Sequence, residues 1–217
     1  MALVATLAAT IAPVLTSMRE AAAAPDTTAP SVDGLDLTPA TVSTAGRAAL
    51  VSATLRVRDD LAGISSGGPV ALTEIRLLAP SGQQLVRGWF SQANRISGNA
   101  LDGTYRAQIL VPQYSQAGRW TAEVTTWDQA GNDRTYTSAA LASQGFANGF
   151  EQTGAGDTAP PTVGSFSVSP GSVDTALGPQ TVSFSARILD DLAGVSAGTT
   201  APPSQVKTRG TTGTQTI

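Results

Sequence analysis

From Ala48 to Arg58 apolar and polar side chains alternate: Val51, Ala53, Leu55 and Val57 share one side, and Ser52, Thr54, Arg56 and Arg58 the other. A period of two over this length predicts a β-strand with one face buried. The pattern returns later as Val182, Phe184, Ala186 and Ile188. Further strands are predicted over Val32–Leu37, Glu74–Leu78, Leu85–Phe90, Tyr105–Val111, Arg119–Thr126 and Asp133–Thr137. Tyr105, Ala107, Ile109 and Val111 make one apolar row, and Trp120, Ala122 and Val124 another. Turn residues separate the strands at Pro80-Ser81-Gly82, Asp102-Gly103 and Gln129-Ala130-Gly131-Asn132. Residues 91–104 read as one long, solvated, Gly- and Asn-rich connection. No stretch from Asp26 onward carries a convincing helical period.

The chain also repeats itself at an offset of 131 residues. Asp26-Thr27-Thr28-Ala29-Pro30 recurs as Asp157-Thr158-Ala159-Pro160-Pro161, and Asp59-Asp60-Leu61-Ala62-Gly63-Ile64-Ser65 as Asp190-Asp191-Leu192-Ala193-Gly194-Val195-Ser196. The register still holds where Ser81-Gly82-Gln83-Gln84 meets Thr212-Gly213-Thr214-Gln215. Chance matches would not keep one offset over so long a stretch. The expected organisation is a leader over 1–24, a complete domain over 25–140, a Gly-, Ala- and Ser-rich linker over 141–156 and a second copy over 157–217. That copy lacks a match to residues 87–140, so a fragment of a longer tandem array is expected. About seven short strands in roughly 115 residues predict an all-β fold, an immunoglobulin-like antiparallel β-sandwich. A jelly roll or small barrel is the alternative.

The Asp-Thr-Thr-Ala-Pro opening, the Asp59–Ser65 stretch, Ala117-Gly118-Arg119-Trp120-Thr121 and Trp127-Asp128-Gln129-Ala130-Gly131-Asn132 resemble the tandem Ig-like repeats of bacterial secreted and surface proteins. The resemblance covers 26–140 well and 157–217 as a truncated copy. It implies a location outside the cell and a mechanical role, as stalk, spacer or surface array. The partners it implies are neighbouring Ig-like repeats of the same chain. It names no ligand.

Composition narrows the chemistry further. The chain has no Cys and no His, which excludes zinc sites built from those residues, Ser-His-Asp and Cys-His catalysis and any disulfide. Sixteen acids against thirteen bases give a net charge of −3, and no basic patch suits nucleic acid. An enzyme is therefore not expected. Residues 1–16 are uncharged and mostly apolar, too short to span a bilayer securely, and are followed by a small-residue run that suits signal cleavage. Two features depart from a secretory signal: no Lys or Arg precedes the apolar run, and Arg19-Glu20 sits near the cleavage region. A secreted or surface location is the expectation, with no membrane span.

Twelve of the sixteen acids are Asp, concentrated in the predicted loops. In a sandwich the second and sixth strands run the same way, so the loops after them meet at one pole, where the first strand also starts. Asp26, Asp59, Asp60 and Asp128 should gather there with Asn132, and Asp157, Asp190 and Asp191 at the corresponding pole of the second copy. Carboxylates this close repel, by about 1 kcal/mol per pair even in water. Calcium, which takes six to eight oxygens, would relieve the repulsion and stiffen a junction between units. The competing reading is turn chemistry, because Asp and Asn bond their own backbone.

Three other candidates carry less. Glu74 and Glu123 lie on the polar faces of their strands, where ion pairs with Arg76 or Arg119 outweigh glycoside hydrolysis. Trp120 belongs to the apolar row, whereas Trp127 and Trp89 could reach solvent, which keeps a carbohydrate-binding accessory domain, or a surface glycan or protein as partner, as the alternative function. Lys207 has no nucleophile motif beside it.

Overall fold

A computed structural model describes residues 24–196 and 205–206. Nearly all of the expected leader, Lys207 and most of the chain after Ser196 lie outside the described residues. In chain order the strands are β1 (Ser31–Thr38), β2 (Thr41–Val42), β3 (Ala49–Arg58), β4 (Thr73–Leu78), β5 (Leu85–Phe90), β6 (Arg95–Gly98), β7 (Asp102–Val111), β8 (Gly118–Trp127), β9 (Asp133–Tyr136), β10 (Gly149–Gln152), β11 (Thr162–Ser169) and β12 (Ser183–Leu189). One helix, α1 (Ser138–Ser143), lies between β9 and β10.

The first unit consists of two sheets. One has the order β1-β3-β7-β6 and the other β2-β10-β8-β4-β5, with β9 also paired to β8. All pairs are antiparallel except β2 with β10. Alternation explains the packing. Val51, Ala53, Leu55 and Val57 are fully buried on β3, as are Ile75 and Leu77 on β4 and Trp120 and Val124 on β8. These residues belong to one hydrophobic cluster drawn from both sheets, which makes the unit an all-β sandwich. The sheets touch closely where β5 crosses β7: a Cβ on Gly88 would lie 2.8 Å from Ile109 Cγ1, so no larger residue fits without displacing that side chain.

Two connections expected from composition are structured instead. Residues 141–156 are not a linker. Thr137 caps α1 by accepting from the Ala140 N–H at 3.3 Å, Leu141 is fully buried, and the Ala147 N–H donates to the Leu35 carbonyl at 2.9 Å. The chain then re-enters the sheet as β10, pairing Gly149 with Thr121 and Phe150 with Trp120. Thr121 bonds Leu78 of β4 on its other side, and Thr125 is likewise held between Glu74 and Thr135. Hence β9 and β10 occupy two halves of one position beside β8, interrupted by α1, with β2 paired on the outer side of β10. Four residues are too few to show a period, and Gly149 is present because the backbone there is tight: a Cβ would collide with the Trp120 carbonyl. The 91–104 connection is also partly regular, with a 3-10 turn at Gln92–Asn94 followed by β6, which pairs with the start of β7.

β11 and β12 reproduce β1 and β3 at the same offset. Thr162 pairs with Leu189 as Ser31 pairs with Arg58, and both hairpins shift register at the same place, between Val32 and Gly34 and between Val163 and Ser165. Burial differs sharply. Phe166 is 51% and Phe184 41% exposed, their rings 6.3 Å apart, and no third strand joins them among the described residues.

Phe150 is fully buried and stacks on Trp120 at 5.7 Å between centroids. Replacing it with alanine should therefore destabilise the chain by about 3–5 kcal/mol in urea denaturation. A change within about 0.5 kcal/mol, as expected of a linker side chain, would contradict the strand.

Candidate functional site at the aspartate pole

Asp26 precedes β1, Asp59 follows β3 and Asp128 follows β8, so all three stand at the end where β3 and β8 finish. The loops there are bonded to each other. The Ser65 N–H donates to the Trp127 carbonyl at 2.8 Å, the Gln129 N–H to the Gly63 carbonyl at 2.9 Å, and Thr126 Oγ1 to the Pro30 carbonyl at 2.8 Å. One carboxylate oxygen from each aspartate lies within 4.8 Å of the others. Asp128 is fully buried and Asp59 is 7% exposed.

Each carboxylate holds backbone amides. Asp26 accepts from Thr28 N–H at 3.0 Å and from Ala62 N–H at 2.7 Å, which ties the start of β1 to the loop after β3. Asp59 Oδ2 accepts from Leu61 at 3.2 Å and Gly63 at 2.6 Å. Gly63 reaches back this way because its φ is +79°, a conformation that favours glycine. Asp128 accepts from the Asn132 N–H at 2.8 Å and the Asn132 side-chain amide at 2.7 Å.

The expected set is therefore only partly assembled. Asp60 is exposed and stands outside the group, in the bend that follows Asp59. Asn132 acts as a donor, its amide also reaching the Asp26 carbonyl at 3.2 Å. In the second copy Asp157, Asp190 and Asp191 form a similar group, though Asp190 is half-buried and Asp191 exposed. There Asp157 accepts from Ala159 at 2.9 Å and Ala193 at 2.8 Å, and Asp190 from Leu192 at 3.2 Å and Gly194 at 2.6 Å. These are the bonds of Asp26 and Asp59, 131 residues on.

Asp157 also faces the first unit. It is 7% exposed, its N–H donates to the Tyr114 carbonyl at 2.7 Å, and its carbonyl accepts from Gln84 Nε2 at 2.7 Å. Gln84 Oε1 in turn accepts from the Gln116 N–H at 2.7 Å. One residue is thus bonded through its backbone to the far pole of the first unit and through its side chain to the loop that follows β12.

Comparison with protein-family models, with curated proteins and with solved structures finds no match to the chain. Among the described residues, no helix is long and apolar enough to cross a membrane.

The other candidates are accounted for by their neighbours. Glu123 pairs with Arg76 at 3.0 Å and Glu74 with Arg87 at 3.3 Å, while Arg119 donates instead to Asn148 Oδ1 at 2.7 Å. Trp120 is core, its indole N–H donating to the Gln116 carbonyl at 2.8 Å. Trp127 is half-buried, so the most exposed tryptophan is Trp89, at 52%. Gly88 and Phe90 take the inward positions of β5, which turns Trp89 out beside a groove of about 750 Å³ lined by Arg87, Leu110 and Tyr114.

Burial raises the Asp59 carboxyl above its ordinary value of 3.8; the Gly63 and Leu61 amides oppose the shift, and the charges of Asp26 and Asp128 reinforce it. A raised value means that the folded chain holds this proton more tightly than the unfolded chain. The resulting stabilisation is complete below 3.8 and is lost as pH rises through the raised value. With a chelator present, Asp59→Asn should therefore change the melting temperature more favourably at about pH 7 than at about pH 4. An equal change at both, or one less favourable at the higher pH, would contradict the shift.

Proposed function

We propose that the chain is a non-enzymatic structural module of a secreted or surface-attached protein, an Ig-like sandwich that spaces or displays its neighbours in a tandem array. The joint at Asp157 carries this reading. A flexible tether would leave the connecting residue in water, whereas Asp157 is buried and bonded on both sides. The strand order, with β1-β3-β7-β6 facing β2-β10-β8-β4-β5, supports the Ig-like assignment. The recurrence of the clasp 131 residues on supports the tandem one. Nitrogen-15 relaxation on the full chain tests the joint. Amides of 25–156 and 157–196 should share one rotational correlation time, and Gln84→Ala should separate them; two different times in the unmodified chain would remove the spacer reading.

A second reading, a carbohydrate-binding accessory domain, is favoured by the half-exposed Trp89 beside the groove with Arg87 and Tyr114. On a glycan array the spacer reading expects no saturable binding. Saturable binding that Trp89→Ala abolishes would replace it.

A further inference from the structure

We propose that Asp26, Asp59 and Asp128 bind one divalent cation, calcium, through the buried and unpartnered Asp59 Oδ1 and the two carboxylates beside it. This goes beyond the mechanical reading, because the joint at Asp157 belongs to the other end of the unit. Five of the six carboxylate oxygens in the group accept a hydrogen bond: both of Asp26, Oδ2 of Asp59 and both of Asp128. The sixth, Asp59 Oδ1, is enclosed and has no partner, in a residue 7% exposed. An enclosed carboxylate oxygen without a donor is a costly arrangement that native proteins avoid unless an ion or water fills it.

The charge balance points the same way. None of the ion pairs among the described residues involves Asp26, Asp59 or Asp128, so no arginine neutralises the group. The amides that hold it supply only partial positive charge. A divalent cation would satisfy Oδ1 and offset two of the three negative charges at once. The donors are oxygens alone and the chain has neither His nor Cys, which suits a hard cation over zinc or copper. Calcium tolerates an irregular shell that water completes to six to eight ligands, whereas magnesium demands near-ideal octahedral geometry. The group at Asp157 differs: its members are more exposed and no enclosed carboxylate oxygen without a partner is found in it.

The test is calorimetric and thermal titration of the chelator-treated full chain with CaCl2 and, separately, MgCl2. The expected result is saturable calcium binding with a dissociation constant on the order of 0.1–1 mM and a matching rise in melting temperature. Asp59→Asn should weaken that binding at least tenfold, and Asp60→Asn, at an exposed position outside the group, should leave it within about twofold. Terbium luminescence sensitised by Trp127 gives a readout on the unmodified chain that does not depend on any variant folding. No melting shift and no terbium signal up to about 10 mM ion, or full calcium binding retained in Asp59→Asn, would overturn the proposal.

Discussion

Two sheets can share one core only if every strand turns its apolar residues toward the same interior, and that constraint organises this chain. Val51, Leu55 and Val57 on one sheet and Ile75, Leu77 and Trp120 on the other are fully buried against each other. Slipping any of these strands by one residue would expose its whole apolar set, so the registers are fixed by burial. The pole then follows. With β3 and β8 held in opposite sheets and ending together, their loops have no choice but to meet, and Asp59 and Asp128 arrive side by side.

What happens at that pole is a contest between two demands on the same carboxylates. Bonding to backbone amides fixes the loops: Asp26 reaches across to Ala62, and Asp59 closes the turn at Gly63. Bringing three carboxylates together in a place that water barely reaches is unfavourable, and burial raises the Asp59 carboxyl accordingly. The second copy keeps the first demand and relaxes the second. Its amide bonds are equivalent, while Asp190 and Asp191 stay in contact with solvent. The amide clasp therefore forms in either setting, and among the described residues the more deeply buried group is that of the first unit.

Much of this is legible in the amino-acid order. Long strands with one buried face, β3 and β7 above all, declare themselves through alternation, and the offset of 131 extends down to a shared irregularity in strand pairing. The gathering of Asp26, Asp59 and Asp128 follows from strand direction alone. Other features depend on contacts distant in sequence. β10 is four residues long, and its Gly149 and Phe150 are explained only by Trp120 across the sheet, so composition read that region as a linker. Asp60 shares its residue type with Asp59 but not its burial. The exposure of Trp89 depends on Gly88 facing Ile109 of the other sheet, which no local pattern reveals.

Native-state hydrogen exchange in rising denaturant tests the shared core most directly. The account predicts that amides of β3, β7, β8 and β10 exchange through one cooperative opening with a common free energy and denaturant dependence, because all four strands bury side chains in the same cluster. Amides of β10 exchanging at the rate of unprotected chain while those of β3 and β7 stay protected would contradict it.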